Sequence, residues 1–470
     1  MRRKKFVDRK YELDMLEKLW RRKEFSLVVV YGRRRVGKTF LLTKFANGKR
    51  HIYYVAVEAP YSFLCDDFSK SVKDFLNLPI SGDIVDMIET ISKLIKEKVL
   101  IVIDEFQFIV EADKSFLSRL QRTIDSILSN KNMMLVICGS AVSFFERELL
   151  GYRSPIFGRR TASINLKPLP FECISEFFPK YNIEELITVY GIVGGTPAYL
   201  EKLDANVSAL ENIYNIITPG TYLYDEALNL LRQEVREPRT YFSILSNITE
   251  GKTTLSEIAN SAGIDPRSII KYISLLEELD IIERIRPIGF KKPVRLKIKD
   301  NYFRFWFTYN YRLRSLLESR RINEAYEYIK RSLDKYLSKV YENLILELVP
   351  TLYSHGIITT KPIDTGKWWH KDIEIDCIVR EPGISTTFIE VKWSNTSFSE
   401  ARKILKELEQ KSTKTGLTSP KNYYLLVVRN IQDSETPTAI DEHHKVIDLT
   451  VIESIILRKN HHESYYNKNP

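Results

Sequence analysis

Gly32-Arg33-Arg34-Arg35-Val36-Gly37-Lys38-Thr39 leads out of the apolar run 27–31 and into Phe40, Leu41, Leu42 and Phe45, which recur at helical spacing. The octet fits G-x-x-x-x-G-K-S/T in full, between a strand and a helix start, as phosphate binding requires. Its glycines let backbone N–H groups curl around phosphate oxygens, and the helix N-terminus adds a favourable dipole. On this reading Gly32, Arg33, Arg34, Arg35, Val36, Gly37, Lys38, Thr39 and Phe40 cradle ATP. Lys38 reaches the β- and γ-phosphates, and Thr39 places its hydroxyl on Mg²⁺. The three arginines occupy x positions and are expected at the surface, or against acidic protein or nucleic-acid phosphate.

Working outward, the apolar run 99–103 ends in Asp104-Glu105. A carboxylate at a strand's C-terminal end beside the loop suits Asp104 to holding the Mg²⁺ through water, and Glu105 to polarising the attacking water. A further strand ends at Ser140, placed to sense the γ-phosphate or to cap the next helix. Arg159 and Arg160 either supply transition-state charge, in cis or to a neighbouring subunit, or lie in a solvated loop. Runs at 27–31, 52–57, 99–103, 134–138 and 163–166 alternate with helical patterns, which predicts an α/β parallel sheet with covering helices.

The remaining bounds are compositional. The 470 residues carry 71 Lys+Arg against 61 Asp+Glu, and 44% are hydrophobic, which excludes a wholly disordered chain. No apolar run approaches a membrane span, and the four cysteines (Cys65, Cys138, Cys173 and Cys377) are too scattered for a disulfide framework. A cytoplasmic protein without a membrane partner is expected. Residues 1–50 hold 17 basic and 5 acidic side chains, and 281–300 hold 7 and 2. The excess charge therefore coincides with motifs.

Phe6-Val7-Asp8-Arg9-Lys10-Tyr11-Glu12-Leu13, the Asp104-Glu105 pair, Gly158-Arg159-Arg160 and Gly195-Thr196-Pro197 together resemble the archaeal P-loop ATPases of the signal-transduction (STAND) class, which are AAA-like ASCE ATPases. The resemblance implies that Arg9, Glu12 and Pro197 lie near the adenine and couple it to a helical lid. It also implies a nucleotide-driven switch that changes domain arrangement or forms a homo-oligomer.

Downstream, Thr254-Leu255-Ser256-Glu257 is a capping box, Gly263 a turn, and Asp265-Pro266 a cap with a first-turn proline. This predicts a helix-turn-helix that exposes Arg267 and Lys271. The runs 281–285 and 294–298, around Pro287-Ile288-Gly289, would form a wing whose Arg284, Arg286, Lys291, Lys292 and Arg295 suit DNA phosphates. Such segments also serve as lids or docking modules. The aromatic crowd from Tyr302 to Tyr311 reads as a buried domain junction rather than a base-stacking surface.

The last stretch alternates polar and apolar residues through Asp372–Val379, turns at Pro382-Gly383, and returns through Phe388-Ile389-Glu390-Val391-Lys392-Trp393. Period 2 puts Glu390 and Lys392 on one face, and the hairpin can bring Asp376 beside Glu390. Two carboxylates and a lysine there could hold Mg²⁺ and activate water against a phosphodiester. The order helix, strands, hairpin, helix, strand with D…ExK resembles the PD-(D/E)xK nuclease fold. That resemblance implies catalytic roles for Asp376, Glu390 and Lys392, metal binding by Asp376 and Glu390 with Mn²⁺ as an alternative ion, and a further role for Glu342. No proline precedes the Asp. His443-His444 and His461-His462 read as solvated tail residues.

The expected layout is an ATPase core (1–170), a helical lid (171–237), a winged helix-turn-helix (238–300), and a junction with an α/β restriction-endonuclease-like domain (301–470). The function expected is an ATP-hydrolysing switch controlling a DNA-directed nuclease-like domain. The alternative is a nucleotide-dependent regulatory protein whose C-terminal domain binds nucleic acid or protein without cutting.

Overall fold

The computed structural model describes residues 6–235, 237–432 and 438–456. The chain divides into two compact units, Met1–Leu169 with Thr196–Ala198, and Pro170–Gly195 with Tyr199–Pro470.

The first unit is built on five strands: β1 (Ser26–Tyr31), β2 (His51–Val55), β3 (Val99–Asp104), β4 (Met133–Gly139) and β5 (Ala162–Asn165). They pair in the order β2-β3-β4-β1-β5, and every pairing is parallel. Helices cover both faces, which is why the strands read as unbroken apolar runs rather than as alternating ones. Leu27, Val29 and Tyr31 enter one core cluster with Phe68, Ile88 and Leu120. Val28 and Val30 enter the other with Leu16, Leu41, Leu42 and Phe45. Because β4 lies between β1 and β3, three strand ends meet at one edge: the phosphate loop, Ser140 and the Asp104-Glu105 pair. Ligands of parallel sheets bind outside such carboxyl ends.

The second unit begins with mainly helical segments, among them Ile183–Val193 and Tyr222–Glu234. Three helices (Pro238–Thr249, Leu255–Ala262, Ile269–Glu278) and an antiparallel pair, β6 (Ile282–Ile285) and β7 (Arg295–Ile298), follow. The capping box forms as read, with Thr254 accepting from Glu257 N–H and the Glu257 carboxylate accepting from the Thr254 backbone. The third helix starts at Ile269, later than Asp265-Pro266 predicts. The Asp265 carboxylate closes a turn on Arg267 and Ser268 N–H instead. The aromatic residues from Tyr302 to Tyr309 are buried and Tyr311 is half-buried, with the Tyr302 hydroxyl bonded to Leu223 O and the Trp306 indole to Tyr224 O.

A 33-residue helix, Ile322–Ser354, then leads into a six-stranded mixed sheet. Its strands are β8 (Asp364–His370), β9 (Ile373–Glu381), β10 (Ser385–Thr396), β11 (Lys421–Ile431), β12 (Thr438–Ala439) and β13 (His444–Ile447), in the order β12-β13-β11-β10-β9-β8. The long helix bonds to both of its surroundings. Tyr336 donates to Gly191 O at 2.6 Å, Glu347 accepts from Tyr190 and from Phe171 N–H, and Tyr341 donates to Val428 O.

One expectation is refined here and another corrected. The β6–β7 pair forms at the two runs expected for a wing, and its turn packs on the sheet that follows. Ile288 is buried against Trp368, Leu417 and Tyr424, and its N–H donates to Lys367 O at 2.8 Å. Arg284 pairs with Glu277, and Arg295 with Glu374. Arg286, Lys291 and Lys292 stay exposed. His443-His444 is not a tail, because His444 opens β13, stacks on Tyr424 at 4.9 Å and contacts Asp441. His461-His462 lies outside the described residues.

Candidate functional site

The phosphate loop is shaped by its first glycine. Gly32 has φ +151°, and a Cβ there would stand 2.3 Å from Leu166 O. Gly32→Ala is therefore expected to cost about 1–3 kcal/mol through overpacking and to lower the first thermal unfolding transition, read by calorimetry. Lys38 opens the helix Lys38–Ala46, with its ammonium 2.7 Å from Gly32 O and 3.0 Å from Arg33 O. Burial pushes this ammonium down, and acidic neighbours including Asp104 and Glu105 partly offset that. The Thr39 hydroxyl donates to Asp104 Oδ2 at 2.8 Å, so the hydroxyl and carboxylate expected to share a metal already adjoin. Arg33 is buried, not at the surface as its x position suggests, while Arg34 and Arg35 are half-buried. Phe40 is partly exposed and lies 5.5 Å from Phe6, ring to ring.

Glu105 sits in a left-handed backbone conformation, φ 51°. Its carboxylate accepts from Ser140 Oγ at 3.0 and 3.2 Å and from Gln107 Nε2 at 2.6 Å. Ser140 therefore holds Glu105 rather than capping a helix. Two residues unnoticed in the sequence join this site. Gln107 orients Glu105, and Tyr53 donates to Asp104 Oδ2 at 3.0 Å. Gln107 lies two residues beyond Glu105, a local signal that could have been used; Tyr53 arrives from β2 and had none.

Arg9 is buried and reaches Val36 O at 3.2 Å, Lys167 O at 2.6 Å and Glu12 at 3.3 Å, tying the N-terminal segment to the loop. Pro197 opens the helical turn Pro197–Leu200, and Thr196–Ala198 belongs to the same compact unit as the loop. Arg159 is engaged by Asp125, Nε to Oδ1 at 2.7 Å and Nη2 to Oδ2 at 2.8 Å. Arg160 donates to Leu150 O and packs on Phe157. Arg159 thus ties its loop to the helix Phe116–Ser126, and Arg160 is held within the loop.

The second constellation gathers on the C-terminal sheet. β9 and β10 pair through Ile389↔Cys377, and one step further Asp376 meets Glu390. The Asp376 Oδ2 accepts from Val391 N–H at 2.9 Å. Lys392 donates to Glu390 Oε1 at 2.8 Å, as period 2 predicts, and Lys411 adds a bond at 3.2 Å. Glu342 is buried on the long helix and accepts from Lys339 at 2.9 Å and from Lys367 at 3.0 Å. Burial, then the charges of Glu342 and Glu390, push the Asp376 carboxyl up to about 6. Burial raises Glu342 as well, but Lys367 and Lys339 more than offset it, so its carboxyl falls below the ordinary value. Just past Lys392 the β10–β11 register shifts between Lys392 and Asn395, a bulge of the kind that re-aims side chains beside sites.

The donor set fits a divalent cation in part. Asp376 and Glu390 adjoin, and Glu390 Oε2 is buried without a hydrogen-bond partner among the described residues. Mg²⁺ characteristically takes one or two carboxylates and completes its shell with water and phosphate oxygens. Among the described residues no three His, Cys, Asp or Glu side chains group closely enough to hold a metal by themselves. Lys339, Lys367 and Lys411 escaped the sequence reading because they come from three separate elements.

No helix among the described residues is long and apolar enough to cross a membrane. Residues 6–203 match the family described as an ATPase domain predominantly from Archaea; 184–308 and 306–404 match two families of unknown function. An uncharacterized protein of Methanocaldococcus jannaschii is 34% identical over 442 residues, covering 92% of this chain and 97% of that protein. An uncharacterized ATP-binding protein of the same organism is 51% identical over 45 residues, covering 10% of this chain and 76% of that protein. In fold, the chain is similar to the Walker-type ATPase of Pyrococcus abyssi, with a TM-score of 0.50, 19% identity, and coverage of 65% of this chain and 97% of that one. The first unit is accordingly a P-loop ATPase domain that binds ATP with a divalent metal. With the near-full-length relative and the domain match together, the chain belongs to the family of archaeal ATPase-domain proteins.

Proposed function

We propose that this protein is a Mg²⁺-dependent ATP-hydrolysing switch that controls a DNA-directed, nuclease-like C-terminal domain. Residues 1–170 bind and hydrolyse ATP, 171–237 act as lid, 238–300 as winged helix, and 301–470 as junction and nuclease-like domain. Lys38 binds the β- and γ-phosphates, Thr39 and Asp104 hold the metal, and Arg9, Glu12 and Pro197 border the adenine. Glu105, steadied by Ser140 and Gln107, takes a proton from the attacking water. The water oxygen bonds to the γ-phosphorus as the bond to the β–γ bridging oxygen breaks. The bound cation supplies neutralisation of phosphate charge.

The observation that carries the nuclease half is the juxtaposition of Asp376, Glu390 and Lys392 beside a bulge, with Val391 N–H fixing the Asp376 carboxylate. Asp376 and Glu390 would hold Mg²⁺ or Mn²⁺, which would supply polarisation of a phosphodiester and activation of water. Lys392 would orient that water or meet the charge developing on phosphate. Incubation of plasmid and linear DNA with Mg²⁺ or Mn²⁺ tests this. Wild type is expected to cut, while Asp376→Ala and Lys392→Ala lose about 10²-fold or more, the scale of a single transition-state contact. Equal cutting by the variants would remove the assignment.

A second reading is favoured by the ion pairs themselves. Lys392 and Lys411 neutralise Glu390, and Lys339 and Lys367 neutralise Glu342. On that reading the domain binds DNA without cutting, and DNA retention with no cleavage in any nucleotide state would establish it.

A further inference from the structure

A cavity of about 860 Å³ lies within the second unit. Its walls come from the turn after Pro238–Thr249, from β7, from the aromatic turn around Arg304–Arg312, from the long helix, and from β8 and β9. Its volume is that of a small-ligand or cofactor pocket. Seven Lys and Arg side chains line it against three Glu, so its lining carries a strong positive excess.

Part of that charge is already used: Arg295 pairs with Glu374, Lys297 with Glu283, and Lys339 and Lys367 with Glu342. Arg304 is different. One of its nitrogens donates to Ile298 O at 2.6 Å, while Nη1 is buried and has no hydrogen-bond partner among the described residues. No carboxylate among the described residues pairs with it. A buried, unsatisfied guanidinium N–H is costly, and the Arg304 side chain that carries it lines the cavity. Burial pushes the neighbouring Lys297 ammonium down, Glu283 partly restores it, and the charges of Lys367 and Arg304 push it down again. These cations crowd one another, as they do where phosphate is expected between them. Arg312 and Lys335 extend the basic wall to solvent. The ring of Tyr328, 41% exposed, lines the same space and offers a face to a nucleobase.

We infer that this cavity binds the phosphates of a nucleotide ligand, with Arg304 as the half-buried anchor, Arg312 and Lys335 at the mouth, and Tyr328 stacking on a base. The chemistry is shared by a single polynucleotide strand and by a free dinucleotide. Glu342, Lys339 and Lys367 line the cavity as well, so the inference rests on the nuclease reading and deepens it by naming a binding groove beside that site. Because the test reads binding without cleavage, its failure and the failure of that reading are distinguishable.

The test uses the full chain with ADP and Mg²⁺ saturating the phosphate loop. Two fluorescent probes are titrated by anisotropy, an eight-nucleotide single strand of thymidylate and a phosphodiester-linked dinucleotide. Binding of the strand alone assigns the site to nucleic acid; binding of the dinucleotide assigns it to a free nucleotide; either supports the inference. Arg312→Glu with Lys335→Glu is expected to weaken the bound probe at least tenfold and to flatten its salt dependence, because each lost phosphate contact removes about one unit of the slope of log affinity against log salt. Arg304→Gln should weaken binding further. The exposed pair keeps the test decisive if that change unfolds the chain. Failure of both probes to bind, or unchanged affinity and salt slope in the folded double variant, overturns the inference.

Discussion

Glu105→Gln is expected to reduce ATP turnover by about 10²–10⁴-fold, the usual contribution of a positioned general base, while nucleotide binding is retained. The substitution preserves shape. A glutamine can still accept from Ser140 Oγ or Gln107 Nε2, which now reach Glu105 at 3.0 and 2.6 Å. What disappears is the negative charge and the basic oxygen, at a residue whose left-handed backbone aims it from the end of β3. Phosphate release followed in parallel with binding of a fluorescent ATP analogue separates the two effects. Unchanged turnover would show that another group handles the water. Ser140→Ala is the companion measurement, and if Ser140 acts only by holding Glu105, it should add little on top of Glu105→Gln.

Lys38→Ala is expected to remove nucleotide binding at ordinary concentrations. Two charge-assisted bonds to phosphate, at about 1.5–3 kcal/mol each, correspond to about 10²- to 10⁴-fold in affinity. The same change should leave the nucleotide-free protein about as stable as before. The buried ammonium is held by the Gly32 and Arg33 carbonyls, and burial works against its charge. Thermal unfolding with and without ATP–Mg²⁺ reads both halves at once. Wild type should melt higher with ligand, by mass action; the variant should show no shift. A retained shift would mean that the cradle binds through its backbone alone.

Legibility in the sequence followed the range of the interaction. The phosphate loop, the five parallel strands and the capping box at Thr254 were readable because their residue types are dictated by backbone geometry within a few positions. The Asp376, Glu390 and Lys392 grouping needed only a hairpin and period 2, both local. What the sequence hid came from distant segments. Ile288 belongs to the turn of the expected wing, and nothing nearby in sequence shows that it is also core for a sheet about eighty residues further on. The lysines around Glu342 and Glu390 arrive from helix, strand and helix, so no spacing links them. Arg33 was misjudged because the pattern of the loop says which positions are free in type, not which way they face.

The long helix has a mechanical consequence. At 33 residues and about 1.5 Å per residue it is a rod of about 50 Å. Near its middle Tyr336 grips Gly191 O on the helix Ile183–Val193, whose Gly191 leaves no room against Val340. Six residues on, Glu342 faces the carboxylates of the mixed sheet. Only about 9 Å of stiff helix separates that grip from Glu342. Tyr336 and, through Tyr190, Glu347 both bond the rod to the helix Ile183–Val193, so Glu342 lies between two points of attachment, where a shift of that helix would be felt as a displacement of the rod rather than as a bend.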